Sequence, residues 1–129
     1  MTKKVKFELE YVLRTSAKVL DKALTTPDGL SEWFADNVKV NDGVFTFFWD
    51  GSEEMARLIA KKNGEGIKWQ WINDEEDGAD TFFEMKYAID QMTKAVILTV
   101  SDFAEQDEMD EVKRLWDSQI ITLKRYIGA

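Results

Sequence analysis

The stretch EQDEMDEVKRLWDSQIITLKRYIG, residues 105–128, decides the fold. Its apolar residues Met109, Val112, Trp116, Ile120, Leu123 and Ile127 recur at steps of three and four, the period of one face of an α-helix. Acidic residues crowd the first turn, Lys124 and Arg125 stand in the last, and Gly128 follows, as a helix dipole and a C-cap favour. A helix of roughly 21 residues is about 30 Å long, enough to lie across a whole sheet. Such a stripe requires an apolar sheet face to cover.

The residues upstream supply that face. In KVKFELEYVLR (4–14), Val5, Phe7, Leu9, Tyr11 and Leu13 alternate with Lys4, Lys6, Glu8 and Glu10, which predicts a half-buried strand. Thr15 or Ser16 then caps a helix carrying Val19, Leu20, Ala23 and Leu24 at helical spacing. Thr26 caps a second one, with Pro27 at its first position, where a missing N–H costs nothing. This helix runs to about Phe34 and spends the pair Trp33-Phe34 where it meets the next strand.

Short strands follow, separated by Asn41-Asp42-Gly43, Asp50-Gly51 and Asn63-Gly64 turns. Phe45, Phe47 and Trp49 share one phase; Ile67, Trp69 and Trp71 another; Phe83, Met85, Tyr87 and Ile89 a third. NDEEDGAD (73–80) is expected to be a hairpin connection, and AVILTVSDF (95–103), more fully apolar, a strand that is central or covered on both faces. The fold class is therefore α+β: a seven-stranded antiparallel sheet around a long C-terminal helix, with two short helices between strands one and two, in a single domain over 1–129.

Composition removes most chemistry. With no Cys and no His among 129 residues there is no thiolate, imidazole base or Cys/His metal site. The runs DEEDGAD and EQDEMDE lack the alternating spacing of a calcium loop, so neither a metal nor a cofactor is expected. A net charge of −8 opposes binding to nucleic acid or to an anionic membrane surface. No apolar run approaches the roughly 20 residues of a membrane span, and the N-terminal lysines precede no apolar leader core, so the expected location is the cytoplasm.

KALTTPDGLSEWFAD (22–36), NDGVFTFFWDG (41–51), WQW (69–71), TKAVILTVSDF (93–103) and RLWDSQIITLKRYI (114–127), in that order, resemble the START-like or SRPBCC superfamily. Its helix-grip fold is shared with the major birch-pollen allergen and polyketide cyclases. More narrowly, the chain is similar to proteins related to the activator of the ninety-kilodalton heat-shock chaperone ATPase. The resemblance implies a curved sheet gripping the last helix, with a cavity that in this superfamily commonly takes lipids, sterols or polyketide-like aromatics.

The candidate lining of such a cavity is Trp33, Phe34, Phe45, Phe47, Trp49, Trp69, Trp71, Phe83, Met85, Tyr87, Trp116 and Ile120. The same residues also serve as plain core fillers of a helix-on-sheet sandwich. Ligand sites are aromatic-rich concavities, and Trp33-Phe34, on a short helix with Gly29, reads as a lid. Arg57 would meet an anionic head group if its phase, shared with Met55 and Ile59, faced inward; otherwise Ala56, Leu58 and Ala60 face in and Arg57 is solvated. Tyr87 would offer a hydroxyl. Phe48, in the outward phase, would mark a dimer patch if exposed. The expected function is binding of a small apolar ligand without catalysis, by a monomer or homodimer. The alternatives are a chaperone-interacting surface module and a cyclase- or hydrolase-type enzyme.

Overall fold

The alternation over KVKFELEYVL becomes a strand, β1 (Lys4–Leu13), in the computed structural model, which describes residues 4–129. Ser16 caps α1 (Ala17–Thr25), its Oγ accepting from Val19 N at 3.1 Å. Thr26 caps α2 (Pro27–Trp33), its Oγ1 accepting from Gly29 N at 3.0 Å. There follow β2 (Asn37–Asn41), β3 (Val44–Trp49), β4 (Ser52–Lys62), β5 (Gly66–Trp71), α3 (Ile72–Glu76), β6 (Phe83–Ile89), β7 (Val96–Glu105) and, after a 3₁₀ turn over Gln106–Glu108, α4 (Met109–Ile127). Gly128 closes α4 in the left-handed region at φ 72°, which glycine adopts without strain.

The strands form one antiparallel sheet in the order β1-β7-β6-β5-β4-β3-β2. Its register lines apolar residues up across neighbouring strands. Leu58, Trp69 and Phe83 make one row, and Ile67, Met85, Val100 and Leu9 another. The α4 stripe covers this face: Met109, Trp116, Ile120 and Leu123 are buried, with Val112 and Ile127 packed at the margin. Full burial of a side chain such as Ile120 or Leu123 contributes about 1.5–3 kcal/mol.

Three details differ from expectation. Residues 72–76 wind into α3 where a plain hairpin connection was expected, and Asp74 and Glu75 in its first turn suit the helix dipole. β7 lies between β1 and β6, but only one of its faces is fully covered: Val96, Leu98 and Val100 are buried, whereas Ile97 and Thr99 are half-buried. The pairing of β4 with β5 shifts between Leu58 and Ala60, so the alternation along β4 does not continue past that point.

Gly29 lets α2 press against the end of α1. A Cβ there would collide with the Lys22 carbonyl oxygen and stand 2.8 Å from Ala23 Cα. Alanine ordinarily gains about 1 kcal/mol over glycine inside a helix, but overpacking costs about 1–3 kcal/mol. Gly29→Ala is therefore expected to lower stability in urea unfolding. An unchanged or higher midpoint would show that the α1–α2 contact yields freely.

Candidate ligand-binding site

The short α2 delivers Trp33 and Phe34 to the place where β3 and α4 approach each other. Trp33 is anchored by its indole, whose Nε1 donates to Ala23 O at 2.9 Å. Phe34 is held twice. Its ring meets Trp33, Phe47, Trp49, Phe83 and Trp116 at centroid distances of 5.4, 5.0, 5.7, 6.2 and 5.8 Å. Its carbonyl accepts from Trp49 Nε1 at 2.9 Å and from Gln119 Nε2 at 3.1 Å, tying the end of α2 to β3 and α4.

Behind Phe34 the rings stack on one another. Phe83 stacks on Trp71 at 4.6 Å and on Trp69 at 5.0 Å, and Phe45 and Phe47 meet Trp69 edge-on at 5.5 and 5.9 Å. Phe47, Trp69 and Met85 have no accessible surface at all, and Phe45, Phe83 and Ile120 almost none. No room for a water adjoins the first three. These side chains, expected as walls of a hollow, are its filling, because edge-to-face contacts close the gaps that flat rings would otherwise leave.

Arg57 is corrected outright. It pairs with Val44 and Gln70 on the sheet's outer face and sends Nε to Glu75 Oε2 at 2.7 Å, while Ala56 takes the inward position with no exposed surface. Tyr87 does face inward, but its hydroxyl donates to Asp21 Oδ1 at 2.6 Å on α1. Burial, and then Asp21, push its pKa up to about 12, so the hydroxyl is a strut between β6 and α1. Phe48 is half-buried, with Lys39 Nζ 5.5 Å from its ring centroid.

An open concavity survives at the mouth. A cleft of about 460 Å³ between α2 and α4 has Trp33, Phe34, Trp49 and Leu115 among its walls, with Asp36 and Gln119 among the polar groups. Other hollows border the outer face: one of about 140 Å³ is lined by Lys62, Lys68, Lys86 and acidic neighbours. The charged lining of that hollow is suited to water, and the cleft is the concavity that meets the aromatic cluster. Of the candidate residues, only Trp33, Phe34 and Trp49 reach it. Leu115 and Gln119 were missed because both fall outside the apolar stripe of α4.

Asp102 was also missed, although it stands in the same phase as Leu98 and Val100, opposite Phe7, where a carboxylate is conspicuous. Its Oδ2 accepts from Trp116 Nε1 at 2.8 Å and its Oδ1 from Phe103 N at 2.7 Å, latching α4 to β7. Among the described residues no three acidic side chains converge as metal ligands would.

A seven-stranded antiparallel sheet closed by a long C-terminal helix, with a helix pair between strands one and two, defines a helix-grip protein. The chain belongs to the START-like superfamily, whose domain model matches residues 1–129. It is similar to a Bacteroides fragilis protein solved by NMR in solution, at 35% identity over 98% of this chain and 92% of the other, with a TM-score of 0.67. The Aha1 dimer from Colwellia psychrerythraea shares the fold at 18% identity, 95% and 96% coverage and a TM-score of 0.79. DynU16, from the dynemicin biosynthetic locus, shares it at 16% identity, 96% of this chain and 47% of the other, with a TM-score of 0.71. No curated protein matches the sequence.

Burial raises the pKa of Asp102, and Asp74 adds to the rise, while the Trp116 and Phe103 N–H groups and Lys4 oppose it. The folded state therefore holds this proton more tightly than the unfolded chain does. The stability from this group is fully present below the unfolded carboxyl value, near 4, and is lost as pH rises through the higher folded value. Asp102→Asn keeps an acceptor for Trp116 and removes the titration. Urea unfolding from about pH 3 to pH 7 is expected to show the variant gaining on the parent as pH rises, then levelling. A difference independent of pH would refute the assignment.

Proposed function

We propose that this START-like domain binds a small, largely apolar ligand, and that the ligand docks in the cleft between α2 and α4. The observation that carries the reading is that cleft, where Trp33, Phe34, Trp49 and Leu115 border one concavity of about 460 Å³. The volume lies within the roughly 300–1,000 Å³ of small-molecule sites, and START-like domains commonly take hydrophobic ligands. Because the interior is already packed with rings, the ligand sits against Phe34, and Phe34 forms the movable wall. α2 has only seven residues, so moving Phe34 asks for a small segment to shift, at the cost of its ring contacts and the two hydrogen bonds to its carbonyl. The cleft supplies shape and carbon, and the reading assigns no catalytic step.

Titration with N-phenyl-1-naphthylamine tests this, since Trp33 and Trp49 transfer excitation to a probe bound beside them. Saturable one-to-one binding is expected. Leu115 is largely exposed, so Leu115→Glu should fold normally while placing a charge against the apolar probe. Desolvating it costs at least about 1–3 kcal/mol, which weakens the probe about tenfold or more. Unchanged affinity in this variant would remove the cleft as the site. Native mass spectrometry of protein purified from its own host should show a co-purifying small mass. A protein that carries none, and recovers a chaperone instead, would favour a surface-acting module.

A further inference from the structure

β1 is one end of the sheet: among the described residues it pairs with β7 on one side and with no strand on the other. Its outer-face residues run Lys4, Lys6, Glu8, Glu10, two cations followed by two anions. Charge of one sign would serve a rim that is guarded against every neighbour. A segregated row is self-complementary instead, because a two-fold axis sets a second copy against it in reversed order.

One antiparallel register uses all four charges. With Phe7 opposite Phe7 of a second copy, Lys4 faces Glu10 of the second copy and Lys6 faces its Glu8, and the symmetry repeats both pairs. The neighbouring two-fold registers, centred on Lys6 or on Glu8, set like charges directly against each other, which is destabilising. Lys4 Nζ also reaches Asp74 Oδ1 at 3.3 Å, so Lys6 and Glu8 carry most of the selection. These two stand 3.9 Å apart on their own strand, and with their counterparts they alternate in sign around a square.

The inner phase supports the same seam. Val5 is 42% exposed and Leu9 only half-buried, although both share the inward phase of Phe7. In this register Val5 packs on Leu9 of the second copy, beside the Phe7 pair. β2, the other rim, lacks the property: a two-fold pairing centred on its five residues sets Lys39 against Lys39 of the second copy.

We infer that two copies of this chain associate through β1 as an antiparallel, two-fold pair centred on Phe7, continuing one sheet across both copies. Backbone groups along the rim supply the attraction, and the charges choose register and partner. A seam of one strand pair is small, so the dimer is weak and forms reversibly.

Sedimentation equilibrium from micromolar to millimolar protein tests this, and the parent should show a reversible monomer–dimer equilibrium. Lys6→Glu makes positions 6 and 8 both acidic, and Glu8→Lys makes both basic. In either variant alone the central pairs are like-charged, and the dissociation constant should rise about tenfold or more. An equimolar mixture of the two variants restores opposite charge at every pair and should dimerise about as well as the parent. The two side chains are 49% and 59% exposed, so both variants should fold, which urea midpoints check. Lys6→Glu also spares the hydrogen bond that Glu8 accepts from Ser101 Oγ, so it remains decisive if Glu8→Lys does not fold. A parent that stays monomeric, variants that dimerise alone as well as the parent, or a folded mixture that fails to associate would each overturn the proposal. None of these outcomes bears on ligand binding in the cleft.

Discussion

Phe34 is where four elements of the chain become one structure. Its ring joins α2, β3, β6 and α4 through contacts with Trp33, Phe47, Trp49, Phe83 and Trp116. Its carbonyl, free because it ends a helix, accepts from both β3 and α4. A seven-residue helix is marginal in isolation. Here it persists because tertiary contacts hold its end. On the proposed binding reading, the end of α2 is where the core opens, since the ring that seals the cluster belongs to a helix of only seven residues.

Side-chain hydrogen bonds repeat this logic around the helix layer. Trp33 ties α2 to α1, Tyr87 ties β6 to α1, Tyr11 ties β1 to Asp117 on α4, and Trp116 ties α4 to β7. Each aromatic contributes its apolar body to the core and a polar tip to a partner, which is why Tyr and Trp are suited to seams. The sheet face is apolar, so hydrogen bonds at its margins fix where α1 and α4 settle on it.

Much of this was legible in the chain, and particular residues show why. The α4 stripe, the β1 alternation, the Ser16 and Thr26 caps and the turns at Gly43, Gly51 and Gly64 are local patterns, and the elements formed where those patterns stand. Arg57 could not be placed by alternation alone, because the phase of β4 is set by its register against Val44 and Gln70 on other strands. Whether Phe47 or Trp69 lines a hollow or fills it depends on ring angles between strands far apart in sequence, which no single segment encodes. Leu115 and Gln119 reach the cleft from outside the helical stripe, so periodicity passed over them.

The sheet ends in two unclosed margins, β1 and β2. Backbone amides along such a rim are templates for adding further chains and for fibril growth. β1, the longer, places Lys4, Lys6, Glu8 and Glu10 along its outer face, and β2 is only five residues long and carries Lys39. A second copy stacked parallel and in register on β1 would bring like charges together, and β2 offers a template of only five residues. Charge on one rim and brevity on the other are the devices by which open sheets discourage parallel, in-register polymerisation.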